Sequence, residues 1–200
     1  LLDLHVTPSS ERIVDRENRF NTKWALAAIT MIGLVLRLTL LSKESFWLDE
    51  AASAWISGAS WDRALRAEAT NPPLYYILLY LWIRCFGSSE AAIRALSVVP
   101  SVILIPVLYG LGKRLVSARV GIFAAAILAL SPFHIAYAQE ARTFALLSLF
   151  LVLAASSCWT LLADEKGLRA PKPIAAYLAW AIISLYTHFI AVFFIAAHNL

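Results

Sequence analysis

The sequence has little of the charge from which a water-soluble domain is built. Only 15% of its 200 residues are charged, whereas 60% are hydrophobic and the mean hydropathy is +0.71. A soluble domain is usually about a quarter charged and about half apolar. Uncharged runs over residues 143–163 and 174–200 each provide the ~20 residues that cross a bilayer as a helix. The chain is therefore predicted to lie in a membrane.

Signatures of several common enzyme and binding classes are also missing. The two cysteines, Cys85 and Cys158, form no CxxC pair, so neither a disulfide framework nor a zinc site is predicted. There is no Walker loop, Rossmann glycine fingerprint, HExxH helix or GxSxG elbow, which removes support for nucleotide use, zinc proteolysis and serine hydrolysis. The net charge of +4 comes from scattered basic residues, so nucleic acid is not a predicted partner.

Five transmembrane helices are predicted, over residues 24–41, 91–112, 120–138, 143–163 and 174–200. Residues 74–86 form a sixth apolar segment, but thirteen helical residues reach only about 20 Å of a hydrocarbon core of about 30 Å. Its aromatic residues suit the membrane interface, and Pro73 and Gly87 are typical of the two ends of a helix. We therefore predict that this helix lies on the membrane.

Lysine and arginine mark the loops that stay in the cytoplasm. The sequence has three basic clusters, within residues 12–23, 113–119 and 166–172. If residues 74–86 do not cross, all three clusters fall on the cytoplasmic side; if they cross, the second and third move outside. The predicted topology has a cytoplasmic segment over residues 1–23, an uncleaved first helix, and outer loops over residues 42–90 and 133–142. The chain ends inside an apolar run without a stop signal, so residues 24–200 are predicted to be the N-terminal part of a longer transmembrane domain.

The first acidic motif, Phe46 to Glu50 (FWLDE), follows the first predicted helix. Neighbouring carboxylates beside apolar aromatics repel each other and lose solvent, which is expected to raise at least one pKa and suits acid/base work. The alternative interpretation is that Asp49 and Glu50 only begin a surface helix, where acidic residues favour the positive helix end.

The second motif, Ser131 to Arg142 (SPFHIAYAQEAR), lies in the other outer loop, on the same predicted face. The planar guanidinium of Arg142 is a natural partner for a phosphate. The alternative is that Glu140 and Arg142 are ordinary loop charges and that Arg142 only reaches the membrane surface.

Three further polar residues fall in or beside apolar spans. Arg37 is expected either to contact a lipid phosphate or to extend to the membrane surface, whereas surface extension is favoured for Arg94. His188 is interpreted as a core histidine in the middle of the last helix.

The order of these features resembles a known family: FWLDEA after the first helix, NPPLYY at the start of the interfacial segment, a KRL…R inner loop, and SPFHIAYAQEAR before the next span. It resembles the protein O-mannosyltransferase and aminoarabinose-transferase superfamily of GT-C glycosyltransferases, in its bacterial dolichyl-phosphate-mannose-protein mannosyltransferase-like branch. The resemblance covers residues 24–200. It implies an all-α, polytopic transmembrane helix bundle with interfacial helices in the first outer loop.

The resemblance also implies a function: transfer of a sugar, mannose-like or related, from a polyprenyl-phosphate donor to a glycan, lipid or protein acceptor outside the cytoplasm, with inversion. A bacterial inner membrane is the expected location. Asp49 then resembles the general base and Glu50 a residue that positions the acceptor or the base. Arg142 would hold the departing phosphate, with Glu140 orienting it and Arg37 as a further phosphate contact.

A divalent cation, Mg²⁺ or Mn²⁺, is a candidate cofactor with Asp49 and Glu140 as ligands, although these residues are not a diagnostic metal site. The chain departs from the family pattern at Ala52 and Asn71, where the family often has tyrosine and histidine or lysine. Acceptor contacts at those two positions therefore do not carry over.

Two functions of other classes remain open. A transporter or flippase of lipid-linked sugars would also need phosphate-binding arginines, but should have charges lining mid-membrane helices and an internal repeat, and none is visible. A non-catalytic membrane scaffold would be insensitive to changes at Asp49, Glu50 and Arg142.

Overall fold

The computed structural model describes residues 8–39, 41, 43, 45–67, 71–163 and 171–198, with side chains from residue 21 onward. The described residues form α-helices joined by short connections and contain no strand, which confirms the predicted all-α class. The helices are α1 (Pro8–Leu38), α2 (Leu48–Ala59), α3 (Trp61–Arg66), α4 (Leu74–Phe86), α5 (Glu90–Leu115), α6 (Ala118–Leu130), α7 (Pro132–Ala138), α8 (Phe144–Leu162), α9 (Pro171–Thr187) and α10 (Ala191–His198).

Helix α5 is the centre of the bundle and packs against α1, α4, α6, α7 and α8, while α8 also packs against α9. The outer faces carry many large apolar side chains, including Met31 (59% exposed), Phe123 (67%), Ile127 (71%) and Phe193 (73%). So large an exposed apolar surface is unusual for a soluble monomer but suits contact with lipid. The chain is a helical membrane protein.

The predicted spans differ in how the structure forms them. Among the described residues, α5 and α8 are long and apolar enough to cross a membrane, and α6 and α7 meet the same test only together, with a bend of 60° between them. The bend falls at Ser131 and Pro132, because proline has no N–H to continue the helix. The predicted single helix over residues 120–138 is therefore a bent pair.

The last predicted span is interrupted as well. Helix α9 ends at Thr187 and α10 begins at Ala191, so the prediction of one continuous helix through residues 174–200 was wrong. The break falls at His188, whose ring Nδ1 accepts a hydrogen bond from the Ile190 N–H at 3.1 Å. A side chain that satisfies a backbone donor in this way competes with the helical hydrogen bonds.

The predicted helix over residues 74–86 is confirmed, between Pro73 and Gly87, which has the positive φ of 88° that glycine adopts without strain. Tyr75 shares a hydrogen bond with Ser97 (3.1 Å). Trp82 donates to the Ala92 carbonyl (2.7 Å). Both partners lie in the first turns of α5, so α4 stays at one end of the bundle.

We call this end the motif end; among the described residues it holds 37–39, 41, 43, 45–66, 74–101, 131–143 and 188. The α5–α6 connection at Val116 and Ser117 lies at the far end, where Arg114 donates to Ser156 of α8. Because α5 and α6 run in opposite directions, the two sequence motifs meet at the motif end.

Candidate active site

Asp49 and Arg142 come together from the two motifs. An Asp49 Oδ2 oxygen lies 3.1 Å from an Arg142 guanidinium nitrogen, and the two side chains are 60% and 37% exposed. They line a cleft of about 430 Å³, the motif cleft, whose walls include Ala52, Asn71, Tyr76 and His188. The cleft can therefore offer a solvent-accessible carboxylate and a guanidinium cation to the same ligand.

Glu50, the neighbour of Asp49, is buried instead. Its side chain is 1% exposed and pairs with Arg94, with N–O distances of 2.9 and 2.8 Å. Arg94 also donates to the backbone carbonyls of Leu41 (2.8 Å) and Ser45 (3.3 Å). The prediction that Arg94 extends to the membrane surface was wrong, because its guanidinium ties α5 to α2 and to the chain that leads into it.

The Glu50 carboxylate also accepts backbone hydrogen bonds from both motifs. It accepts from Ala141 N–H at 2.9 Å and from Trp47 N–H, at the start of α2, at 3.2 Å. Burial alone would raise the pKa of Glu50, but Arg94 and these two N–H groups outweigh burial and lower it. Glu50 is therefore an ionised connector and not a free base, in contrast to the expectation of a raised pKa in this motif.

Glu140 lies on the other side of this connector. It lines a second cavity, of about 310 Å³, together with Lys43, Trp47 and Gln139. Burial raises the pKa of Glu140; Arg142 opposes this shift, whereas Glu50 and Asp49 add to it. The raised pKa that the sequence suggested for the first motif is thus found in the second.

Arg37 is enclosed in the bundle and is 0% exposed. It donates to Ser101 (2.6 Å) and to three backbone carbonyls, those of Gly33, Ala129 and Leu128. The last two belong to the C-terminal turn of α6, where Pro132 cannot supply the usual donor and where a cation is favoured. A contact between Arg37 and the donor phosphate has no geometric support here, and extension of Arg37 to the membrane surface was wrong.

Gln139 makes the corresponding contacts with the end of α1. Its side-chain amide donates to the carbonyls of Leu36 (3.2 Å), Arg37 (3.3 Å) and Thr39 (2.7 Å). Arg37 of α1 thus binds the carbonyls at the end of α6, and Gln139, which follows α7, binds the carbonyls at the end of α1. This exchange fixes the connection that carries Arg142.

His188 lines the motif cleft with Asp49 and Arg142, so its interpretation as a core histidine was wrong. Its ring lies 5.6 Å from that of Phe144, and the Arg142 guanidinium lies 4.8 Å from the same Phe144 ring. The sequence gave no role to Gln139 or Phe144. Gln139 belongs to the quoted motif and Phe144 follows it closely, but the carbonyls that Gln139 binds, at residues 36–39, and the His188 ring beside Phe144 are distant in the chain.

The two metal ligands suggested by the sequence, Asp49 and Glu140, line separate cavities of the motif end. Among the described residues, no group of three or more histidine, cysteine or carboxylate side chains is arranged to hold a metal ion. The side chains present thus do not match the oxygen-rich ligand sets that Mg²⁺ or Mn²⁺ prefers.

Fold and site together define a helical membrane protein with a charged cleft at one end of its bundle. Residues 70–199 match the family described as dolichyl-phosphate-mannose-protein mannosyltransferase. The chain belongs to this family and is a membrane glycosyltransferase of the GT-C type. The match includes Glu140, Arg142 and His188, whereas Asp49 and Glu50 precede it. No curated protein and no solved structure matches the chain.

Proposed function

We propose that this protein transfers a sugar, mannose-like or related, from a polyprenyl-phosphate donor to an acceptor outside the cytoplasm, with inversion at the anomeric carbon. The observation that carries the proposal is the pairing of Asp49 with Arg142 in one open cleft of a family member. The acceptor is a hydroxyl of a protein, a lipid or a glycan.

The two residues have complementary tasks in this reaction. As the acceptor oxygen forms its bond to the anomeric carbon, its proton passes to Asp49. The bond between that carbon and the phosphate oxygen breaks on the opposite face, and its electron pair leaves with the polyprenyl phosphate. Arg142 stabilises the charge that develops on this phosphate without any proton transfer.

The Asp49–Arg142 ion pair also suggests an order of binding. A pair of partly exposed charges contributes only about 0–1 kcal/mol, so an incoming phosphate can replace Asp49 as the partner of Arg142. Asp49 is then free to accept a hydrogen bond from the acceptor hydroxyl. Donor binding thereby prepares the base.

The remaining motif residues support this arrangement. Glu50 holds Ala141, directly before Arg142, to α2 and α5 through Arg94. Arg37 and Gln139 fix the ends of α1 and α6. We assign positioning roles to Glu50, Arg37 and Gln139. Glu140 borders the second cavity, where its raised pKa suits contact with a hydroxyl of donor or acceptor.

The lysine and arginine distribution supports a motif end that faces away from the cytoplasm. The basic Lys113, Arg114 and Arg119 all lie at the far end, around the α5–α6 connection. Together with the resemblance of the sequence motifs to the bacterial branch of the family, this distribution favours the inner membrane of a bacterium.

The test is the isosteric Asp49→Asn change in the full-length protein. We expect loss of sugar transfer from a labelled polyprenyl-phosphate sugar, by at least about 100-fold because general-base catalysis contributes about 10²–10⁴, with normal membrane insertion and thermal stability. The matched control is Asp62→Asn, since Asp62 forms an exposed ion pair with Arg66 at 4.0 Å and should keep full activity.

The same assay separates the other two functions. A flippase would move the labelled lipid across vesicles without consuming it. A scaffold would show no transfer in the unchanged protein. Near-normal transfer by the Asp49→Asn protein would refute the role of Asp49.

A further inference from the structure

His188 has a position that the proposed chemistry does not yet use. It lies where α9 breaks, on the wall of the motif cleft, together with Asp49 and Arg142. The break therefore presents a half-buried imidazole to the ligand space.

The hydrogen bond at the break sets the chemistry of this imidazole. Nδ1 accepts from the Ile190 N–H at 3.1 Å, so Nδ1 of the neutral ring carries no proton and Nε2 carries it. Within the residues that the structure describes, Nε2 has no hydrogen-bond partner. The ring thus offers one N–H donor to whatever occupies the cleft.

Phe144 places this donor near a cation. The Phe144 ring contacts both the His188 ring (5.6 Å between centroids) and the Arg142 guanidinium (4.8 Å). Phe144 also makes an edge contact with Tyr137, at 5.1 Å between ring centroids. A single aromatic side chain therefore holds a neutral donor and a charged donor beside one cleft.

We propose that His188 donates its Nε2–H to a phosphate oxygen of the polyprenyl-phosphate donor, next to Arg142. The inference rests on the proposed function, since it names a second contact to the same leaving group. A phosphate has several acceptor oxygens and is best bound by several donors, and Asp49, an acceptor only, cannot be one of them. His188 remains neutral and acts as a binding residue.

Two substitutions of the same residue separate binding from structure. In His188→Gln, the amide nitrogen takes approximately the place of Nε2, so the donor to the cleft is kept. In His188→Asn, the side-chain oxygen takes approximately the place of Nδ1, so only the contact with Ile190 is kept. Tyr186→Phe, two residues earlier on an exposed position of α9 (58%), is the control.

The measurement is the affinity of the full-length protein for polyprenyl monophosphate, by isothermal titration in detergent, with the matching polyprenol as the phosphate-free ligand. A hydrogen bond to a charged group contributes about 1.5 kcal/mol or more, equivalent to about ten-fold in affinity. We expect about ten-fold weaker phosphate binding for His188→Asn, near-normal binding for His188→Gln and for Tyr186→Phe, and no change in polyprenol affinity for any variant.

The reverse order, with asparagine normal and glutamine weak, would show a structural role in the helix break and overturn the proposal. Equal, normal binding by both variants would overturn it too, as would unchanged binding with a lower kcat. Because binding is measured without a sugar, absence of transferase activity in the unchanged protein would refute the proposed function and leave the His188 result interpretable.

Discussion

Asp49 and Glu50 are neighbours in the chain, yet their carboxylates have opposite surroundings. Successive helical residues point about 100° apart, so α2 directs the Asp49 side chain (60% exposed) into the motif cleft and the Glu50 side chain (1% exposed) into the bundle. One carboxylate can therefore exchange a ligand or a proton, while the other holds two segments together.

Glu50→Ala should reduce stability far more than the loss of an ordinary surface charge. The change removes the carboxylate that pairs with the buried Arg94 guanidinium, and breaking a buried pair costs about 3–5 kcal/mol. We expect a lower melting temperature in detergent, followed by circular dichroism. Asp62→Ala, which breaks an exposed pair, should cost less than about 1 kcal/mol; equal effects of the two changes would contradict the connector role.

The same pair predicts a dependence of stability on pH. The pKa of Glu50 in the folded protein is lowered from its usual value of 4.5, so its stabilisation is complete above that value and is lost as the pH falls through the lower folded value. Melting temperatures of the unchanged protein should therefore drop below about pH 4.5, with a smaller drop in Glu50→Ala. Parallel curves for the two proteins would contradict this assignment.

The sequence was a good guide to Asp49 and Arg142 because both belong to compact polar motifs in an otherwise apolar chain. It was a poor guide to Arg37 and Arg94. A lone arginine in an apolar run has the same appearance whether it reaches water or a buried partner. Their partners, the C-terminal turn of α6 and Glu50, are 91 and 44 residues away.

At the scale of elements, two breaks in apolar segments shape the site. The first break, between α6 and α7, is predictable from Pro132 in the sequence. The bend there leaves free the carbonyls that Arg37 binds. The second, at residues 188–190, contains neither proline nor glycine. Apolar runs therefore predicted where the helices lie, but not the interruption that brings His188 to the motif cleft.

The α5–α6 contact depends on glycine for the close approach of two backbones. A Cβ on Gly121 would lie 2.5 Å from the Tyr109 carbonyl oxygen, and one on Gly112 would lie 2.9 Å from the Gly121 Cα. Gly121→Ala should therefore separate the helices and cost about 1–3 kcal/mol. The measurement is thermal unfolding in detergent micelles.

Gly110, on the same helix as Gly112, provides the matched control. A Cβ there meets nothing within 4 Å, so Gly110→Ala should be neutral or should stabilise by about 0.5–1 kcal/mol through the lower backbone entropy of alanine. If both alanine variants behaved alike, close packing at the α5–α6 contact would not be the cause.

At the scale of the whole molecule, the two ends of the bundle differ in chemistry. The motif end carries the charged cleft and the short helices α2, α3 and α4, whereas the far end carries the basic α5–α6 connection. Because α4 stays beside the first turns of α5, α5 starts at the motif end and finishes at the far end. Orientation in the membrane therefore decides whether the acceptor is met outside the cell or in the cytoplasm.

Single cysteines in a chain without Cys85 and Cys158 can determine this orientation. Ser88, between α4 and α5, and Val116 (71% exposed), between α5 and α6, are exposed at opposite ends. In intact bacterial cells whose outer membrane has been made permeable, a thiol reagent that cannot cross the inner membrane should label Ser88→Cys and not Val116→Cys. Disruption of the inner membrane should expose both. The reverse pattern would place the motif cleft in the cytoplasm, where an acceptor outside the cell could not reach Asp49, and the proposed direction of sugar transfer would fail with it.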